Sequence, residues 1–263
     1  MMNGPHYGHG RVSHHSKHHA TPHPIELNTP LCPASVVGSF FELSAEALGG
    51  EMINFSAYDG KVVLVVNVAS ASEHTTREYL QLNDLVATYG PKGLIVLGFC
   101  CNQFGTGEPF SNHEILRCLR AVRPGNRYSP NFQLFSKVDI NGKHGHIVFE
   151  YLKLKLPFPS DNAATMAQEH LDIGWSPVRR TDVAGNFEKF LVASDGQPYR
   201  RYSWRTTPED LCKDVEELLR KVARTNREQG NTGAKNDRPV LFNSKKYMQE
   251  SMTRSTVRDD AAY

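Results

Sequence analysis

Apolar residues recur along this chain with two different periods. Val62–Val66 and Leu94–Leu97 are short unbroken apolar runs, the pattern of strands buried on both faces. After each of them the spacing lengthens to that of a helix. Tyr79, Leu82, Leu85 and Val86 fall on one helical face, and Gly90-Pro91 ends that helix. A later helix is announced by Thr207 as N-cap, Pro208 at the first helical position, and Glu209 and Asp210 in the first turn. Its apolar stripe is Leu211, Val215, Leu218, Leu219 and Val222, leaving Lys213, Glu216, Glu217 and Arg220 on the wet face. Strands alternating with helices predict an α/β sheet.

Composition divides the chain into three parts. Residues 38–223 form a block long enough for a sizeable core. Residues 1–37 carry seven of the twelve histidines among Gly, Ser and Pro, which predicts a disordered His-rich tail. Its imidazoles have no thiolate or carboxylate partners at fixed spacing, so they predict weak, adaptable metal affinity and no metal site. The tail also lacks the apolar core of a signal peptide and the arginine-rich pattern of a mitochondrial presequence. Residues 224–263 read as a second disordered, polar tail, in which Val240-Leu241-Phe242 followed by Lys245-Lys246 is a candidate linear motif for a protein partner. A formal charge of +2 is too small to imply nucleic acid, and no membrane partner is expected. Five cysteines without a secretory segment predict a reducing, cytoplasmic location.

The chemistry-bearing blocks lie in the middle part. Residues 67–79 read Asn-Val-Ala-Ser-Ala-Ser-Glu-His-Thr-Thr-Arg-Glu-Tyr, directly after the first strand run. With them come Asp59-Gly60-Lys61, Gly98-Phe99-Cys100-Cys101-Asn102-Gln103-Phe104-Gly105, Val122-Arg123-Pro124-Gly125, Trp175-Ser176-Pro177-Val178 and Asn186-Phe187-Glu188-Lys189-Phe190-Leu191-Val192. In this order and spacing, residues 38–222 resemble the animal, long-loop branch of the glutathione peroxidases. The resemblance implies a thioredoxin-like fold, a central mixed sheet flanked by helices. It also implies a catalytic set of a chalcogen, a Gln, a Trp and an Asn, which fall here on Ser72, Gln103, Gly185 and Asn186. Glutathione, as ligand or co-substrate, would be held by arginines matching Arg77, Arg123, Arg200, Arg201 and Arg205, with Trp204 interrupting the family's Ser-Arg-Arg pattern. No other cofactor is implied. The stretch from Leu156 to Ile173 resembles the extra loop through which long members assemble, so a homo-tetramer or dimer is expected.

Two of the four catalytic positions carry the wrong group. A peroxidatic cysteine ionises near pH ~8.5 and passes through a sulfenic acid that a second thiol can reduce. A serine hydroxyl stays protonated without a dedicated base and has no such oxidised state. Gly185 removes an indole as well. Together they predict a non-catalytic homologue with a binding or structural role, in which Ser72 serves a turn or cap before a helix. The alternative is a glutathione-dependent peroxidase of the oxidative-stress response, weak or rescued by Cys100, which stands where the family has Pro, or by a selenocysteine codon at position 72. A third reading, Ser72 activated by His74 as a hydrolase pair, lacks an orienting carboxylate and an oxyanion hole in the sequence.

Overall fold

The computed structural model describes residues 33–161 and 173–228. Most of the His-rich tail, nearly all of the polar C-terminal tail with its linear motif, and most of the long loop lie outside the described residues. The elements in chain order are β1 (Ser44–Glu46), β2 (Met52–Asn54), β3 (Val62–Val68), α1 (Thr75–Tyr89), β4 (Leu94–Cys100), α2 (Asn112–Ala121), β5 (Gln133–Phe135), α3 (Ile147–Lys155), β6 (Lys189–Val192), β7 (Pro198–Tyr202) and α4 (Cys212–Glu228), with short 3-10 turns between them.

The two unbroken apolar runs are the two central strands. In the sheet order β5-β4-β3-β6-β7, strands β3, β4 and β5 run parallel and β6 and β7 antiparallel. All seven residues of β3 are buried because both of its faces are covered. Val62, Leu64, Val66 and Val68 pack with Leu82 and Leu85 of α1, Ile115 and Leu119 of α2, and Val215 and Leu218 of α4. Val63 and Val65 turn the other way, onto Val148, Phe149 and Leu152 of α3 and the Phe40, Phe55, Phe99 and Phe135 rings. This is the mixed sheet flanked by helices of a thioredoxin-like fold. Among the described residues, no helix is long and apolar enough to cross a membrane.

The helix signals are met, with differences of extent. α1 ends against Gly90 as expected, and α4 buries Val215, Leu218 and Leu219. The N-cap expected at Thr207 falls one residue later, on Pro208; Thr207 instead donates to the Asp210 carboxylate, from its N–H at 2.9 Å and its hydroxyl at 2.7 Å. A 3-10 turn at Glu209–Leu211 then leads into the α-helix. α4 runs to Glu228, past the expected end of the domain at 223, because residues 224–228 contain no helix breaker and an exposed helical turn has the same polar composition as a tail. At the other end, the 3-10 turn Pro33–Val36 precedes the expected boundary at 38 and contributes the buried Ala34 to the core.

Asp161 anchors the loop after β7. It accepts from the Ser203 N–H at 2.8 Å, the Ser203 hydroxyl at 2.5 Å and the Thr206 hydroxyl at 2.8 Å. Burial alone would raise its pKa, but these bonds outweigh burial and hold it below the ordinary value. A depressed carboxylate contributes stability that is complete above its unfolded pKa of about 3.8 and is lost as pH falls through the lower folded value. Asp161→Asn is therefore expected to lower the thermal midpoint near neutral pH by about 2–4 °C, from ~1 kcal/mol of lost hydrogen bonding. As pH falls below about 3.8, the gap between variant and wild type should narrow. Melting curves across that range check it.

Candidate functional site

The turn between β3 and α1 is held from three sides. Ser70 donates from its N–H and hydroxyl to the Glu108 carboxylate at 2.8 and 2.6 Å, and burial pushes the pKa of Glu108 up. The Ala71 N–H donates to the Gly107 carbonyl at 2.9 Å, and the Thr75 hydroxyl donates to the Ala69 carbonyl at 2.7 Å. The Arg123 guanidinium closes the third side, donating to the carbonyls of Ser72 at 2.9 Å and Ala71 at 3.3 Å.

Within this frame Ser72 does turn work. Its hydroxyl oxygen accepts from the His74 N–H at 3.4 Å, and its carbonyl accepts from the Thr75 N–H at 3.2 Å. The His74 ring points elsewhere. It stacks on Trp204 with centroids 5.4 Å apart and planes 16° from parallel, and its Nε2 lies 3.3 Å from Glu73. The contact between Ser72 and His74 runs through backbone, so the hydrolase pair is not assembled.

Asn186 reaches the turn and the amide of Gln103 does not. The Asn186 amide donates to the Phe104 carbonyl at 3.1 Å. A Cβ on Gly107 would stand 2.7 Å from Asn186 Nδ2 and 3.2 Å from the Ala69 Cβ, so Asn186, Gly107 and Ala69 meet at the base of the turn. Gln103 faces the other way. Its Oε1 accepts from the N–H groups of Ile140 and Asn141 at 2.8 and 2.9 Å, and its Nε2 donates to the Asn141 carbonyl at 3.0 Å. Gln103, expected to be catalytic, thus has its amide clamping the loop at 140–141 and not facing Ser72. The reversal lies at Gly105 and Thr106, both at positive φ (57° and 50°), which puts Gln103 on one side of the loop and Gly107 with Glu108 on the other. Gln103 instead lines an open polar cavity of about 780 Å³ with Asn102, Thr106, Asp139, Lys143 and Trp175.

The five arginines divide by the same kind of geometry. Arg77 lies on the first turn of α1 and pairs with Glu78 at 3.2 Å; Arg123 grips the turn; Arg205 lies 4.4 Å over the Trp204 ring. Of these three, Arg123 contacts Ser72 directly. Arg200 pairs with Asp214 of α4 at 2.8 Å. Arg201 is 1% exposed; its Nε meets Glu188 at 2.8 Å, and its other nitrogens donate to the carbonyls of Pro157, Thr181 and Asp182 at 2.9–3.0 Å. Arg200 and Arg201, both expected to bind substrate, are thus held in ion pairs away from the Ser72 turn. The Arg201 side chain is buried, whereas the Arg200 side chain remains half-exposed beside Asp214.

Sequence reasoning missed Trp204, although its place within the Ser-Arg-Arg pattern was the available signal. It also missed Glu108, a fully buried carboxylate that fixes the turn. The cysteines near the site are closed off. Cys100, Cys101 and Cys118 are buried and reduced. Burial, with the Glu108 charge next, drives the Cys100 thiol pKa well up; burial raises Cys101 to about 12 and also raises Cys118.

Comparison with known proteins agrees with this frame. A family model described as "Glutathione peroxidase" matches residues 40–153. "Glutathione peroxidase 1" of Bos taurus is 50% identical over 187 residues, covering 71% of this chain and 91% of that protein. "Glutathione peroxidase 2" of Mus musculus is 48% identical over 187 residues, with 71% and 98% covered, and the protein of that name from Homo sapiens is 48% identical over 188 residues, with the same shares. The chain belongs to the glutathione peroxidase family.

Proposed function

We propose that this protein is a non-catalytic member of its family, which binds glutathione at the Ser72 turn without reducing peroxides. The observation that carries the reading is the turn itself: a hydroxyl that accepts from the His74 backbone N–H stands where the family carries its chalcogen, and Cys100 and Cys118 are buried with raised pKa values. Peroxide reduction needs an accessible thiolate or selenolate that carries one oxygen away and is then reduced. A serine hydroxyl does neither. The scaffold, Asn186 and the cationic rim of Arg77, Arg123 and Arg205 remain, and a rim of guanidinium groups suits the two carboxylates of the tripeptide.

The exposed Leu154, Phe158, Ile173 and Val178 flank the long loop and support a homo-oligomer, a tetramer or dimer. Free cysteines fit the reducing cytoplasm. The competing reading, a glutathione-dependent peroxidase in oxidative-stress defence, draws its support from the names of the relatives. Its rescue through Cys100 requires a thiol that the solvent does not reach.

Calorimetry with glutathione tests the binding role. Arg123→Ala is expected to weaken binding about tenfold, the loss of one charge-assisted contact. Arg200→Ala should leave the affinity within about twofold, since a contact outside the site contributes nothing to it. Absence of heat at millimolar glutathione would remove the ligand and leave only a structural role.

A further inference from the structure

We propose that Trp204 forms the wall of the Ser72 pocket, seated in the volume that Gly185 leaves open, and that its indole N–H takes a carboxylate of the bound ligand. The ligand part rests on the binding role above; the wall rests on geometry alone.

Gly185 is not demanded by its backbone, which avoids the left-handed region. It is demanded by its neighbour. A Cβ built there would lie 3.1 Å from Cδ1, 3.3 Å from Cγ and 3.6 Å from Nε1 of Trp204, and these are its three nearest atoms. The pyrrole edge of one indole therefore covers the glycine. The pairing of Lys189 with Tyr202 brings the two residues together across the open end of the β6–β7 hairpin. Gly185 is pinned on its own side, its carbonyl accepting from the Asn67 amide at 2.8 Å.

Trp204 is fixed as firmly. Ser203, just before it, is buried and bound to Asp161 through its N–H and hydroxyl. The ring stacks on His74, whose N–H holds the Ser72 hydroxyl, and the Arg205 guanidinium lies over it. The indole thus stands beside Ser72 through His74 and beside Asn186 through Gly185. Its N–H donates to no group among the described residues, although an indole N–H at a ligand site ordinarily finds an acceptor. An N–H donor next to a stacked guanidinium suits a carboxylate. The sulfur of glutathione plays no part in this contact, so S-methylglutathione should bind as well as glutathione.

Two measurements test the assignment. In a stability cycle, Gly185→Ala should lower the thermal midpoint of the wild type, because the new Cβ presses on the ring. In a Trp204→Ala background the same change should raise the midpoint, because the crowding is gone and alanine restricts the unfolded chain. Equal effects of Gly185→Ala in the two backgrounds would overturn the wall. For the ligand, tryptophan fluorescence should change on addition of glutathione and of S-methylglutathione, with affinities within about twofold, as expected where no differing contact is made. The change should vanish in Trp204→Phe, which keeps an aromatic ring without the N–H, and the affinity should fall about tenfold or more. A coupled cycle with no fluorescence response to either ligand would overturn the carboxylate contact and leave the wall standing. Binding of glutathione by calorimetry that Trp204→Phe leaves unchanged would overturn the contact while sparing the binding role.

Discussion

Arg201→Ala is expected to cost the domain about 3–5 kcal/mol, the loss typical when one partner of a buried ion pair is removed. The guanidinium is 1% exposed and its partner Glu188 is fully buried. Burial pushes the Glu188 pKa up while the Arg201 charge pulls it down, so without Arg201 the carboxyl takes up a proton or remains as an uncompensated charge. Four backbone carbonyls, of Leu156, Pro157, Thr181 and Asp182, lose a donor at the same time. Urea denaturation should show the full loss, whereas Arg200→Ala, which breaks a half-exposed pair with Asp214, should cost about 1 kcal/mol or less. Wild-type stability in Arg201→Ala would return that arginine to the list of candidate ligands.

The contrast between these neighbours shows where the sequence was readable. The runs Val62–Val66 and Leu94–Leu97 were legible because a strand covered on both faces needs apolar residues at successive positions; the strands' ends, at Val68 and Cys100, pass through Asn67 and Gly98 and were not. α1 and α4 were legible through their stripes and end signals. Arg200 and Arg201 were not separable, because a motif records that two cations are present and not which face of β7 each one occupies or what covers that face. The direction in which Gln103 points was hidden for a similar reason. Two consecutive positive φ angles at Gly105 and Thr106 turn the loop over, and a threonine there gives no warning of it. Gly185 and Trp204 each read as a lost or altered residue when taken singly. Only the hairpin puts the indole on the glycine and makes the two substitutions one arrangement.

The second large effect is an absence of chemistry. Wild-type protein is expected to consume hydrogen peroxide with glutathione no faster than the protein-free reaction, because oxygen transfer needs an anionic chalcogen at the turn and residue 72 supplies a neutral hydroxyl. Ser72→Cys restores the missing atom in a setting that favours its anion. The α1 N-terminus follows within three residues, and the Arg123 guanidinium bonds the residue's own carbonyl; both lower a thiol pKa below ~8.5. That variant should consume at least about one equivalent of peroxide as its thiolate becomes a sulfenic acid. Cys100→Ala should change nothing in the wild-type assay, since Cys100 sits in the core among Val68, Ile115 and Leu134.

The most direct measurement is the rate of peroxide loss in the presence of glutathione, on protein made from the native transcript, for wild type, Cys100→Ala and Ser72→Cys side by side. The predicted result is a wild-type rate equal to background, unchanged by Cys100→Ala, with peroxide consumed only by Ser72→Cys. Sustained turnover by the wild type that Cys100→Ala abolishes would contradict it.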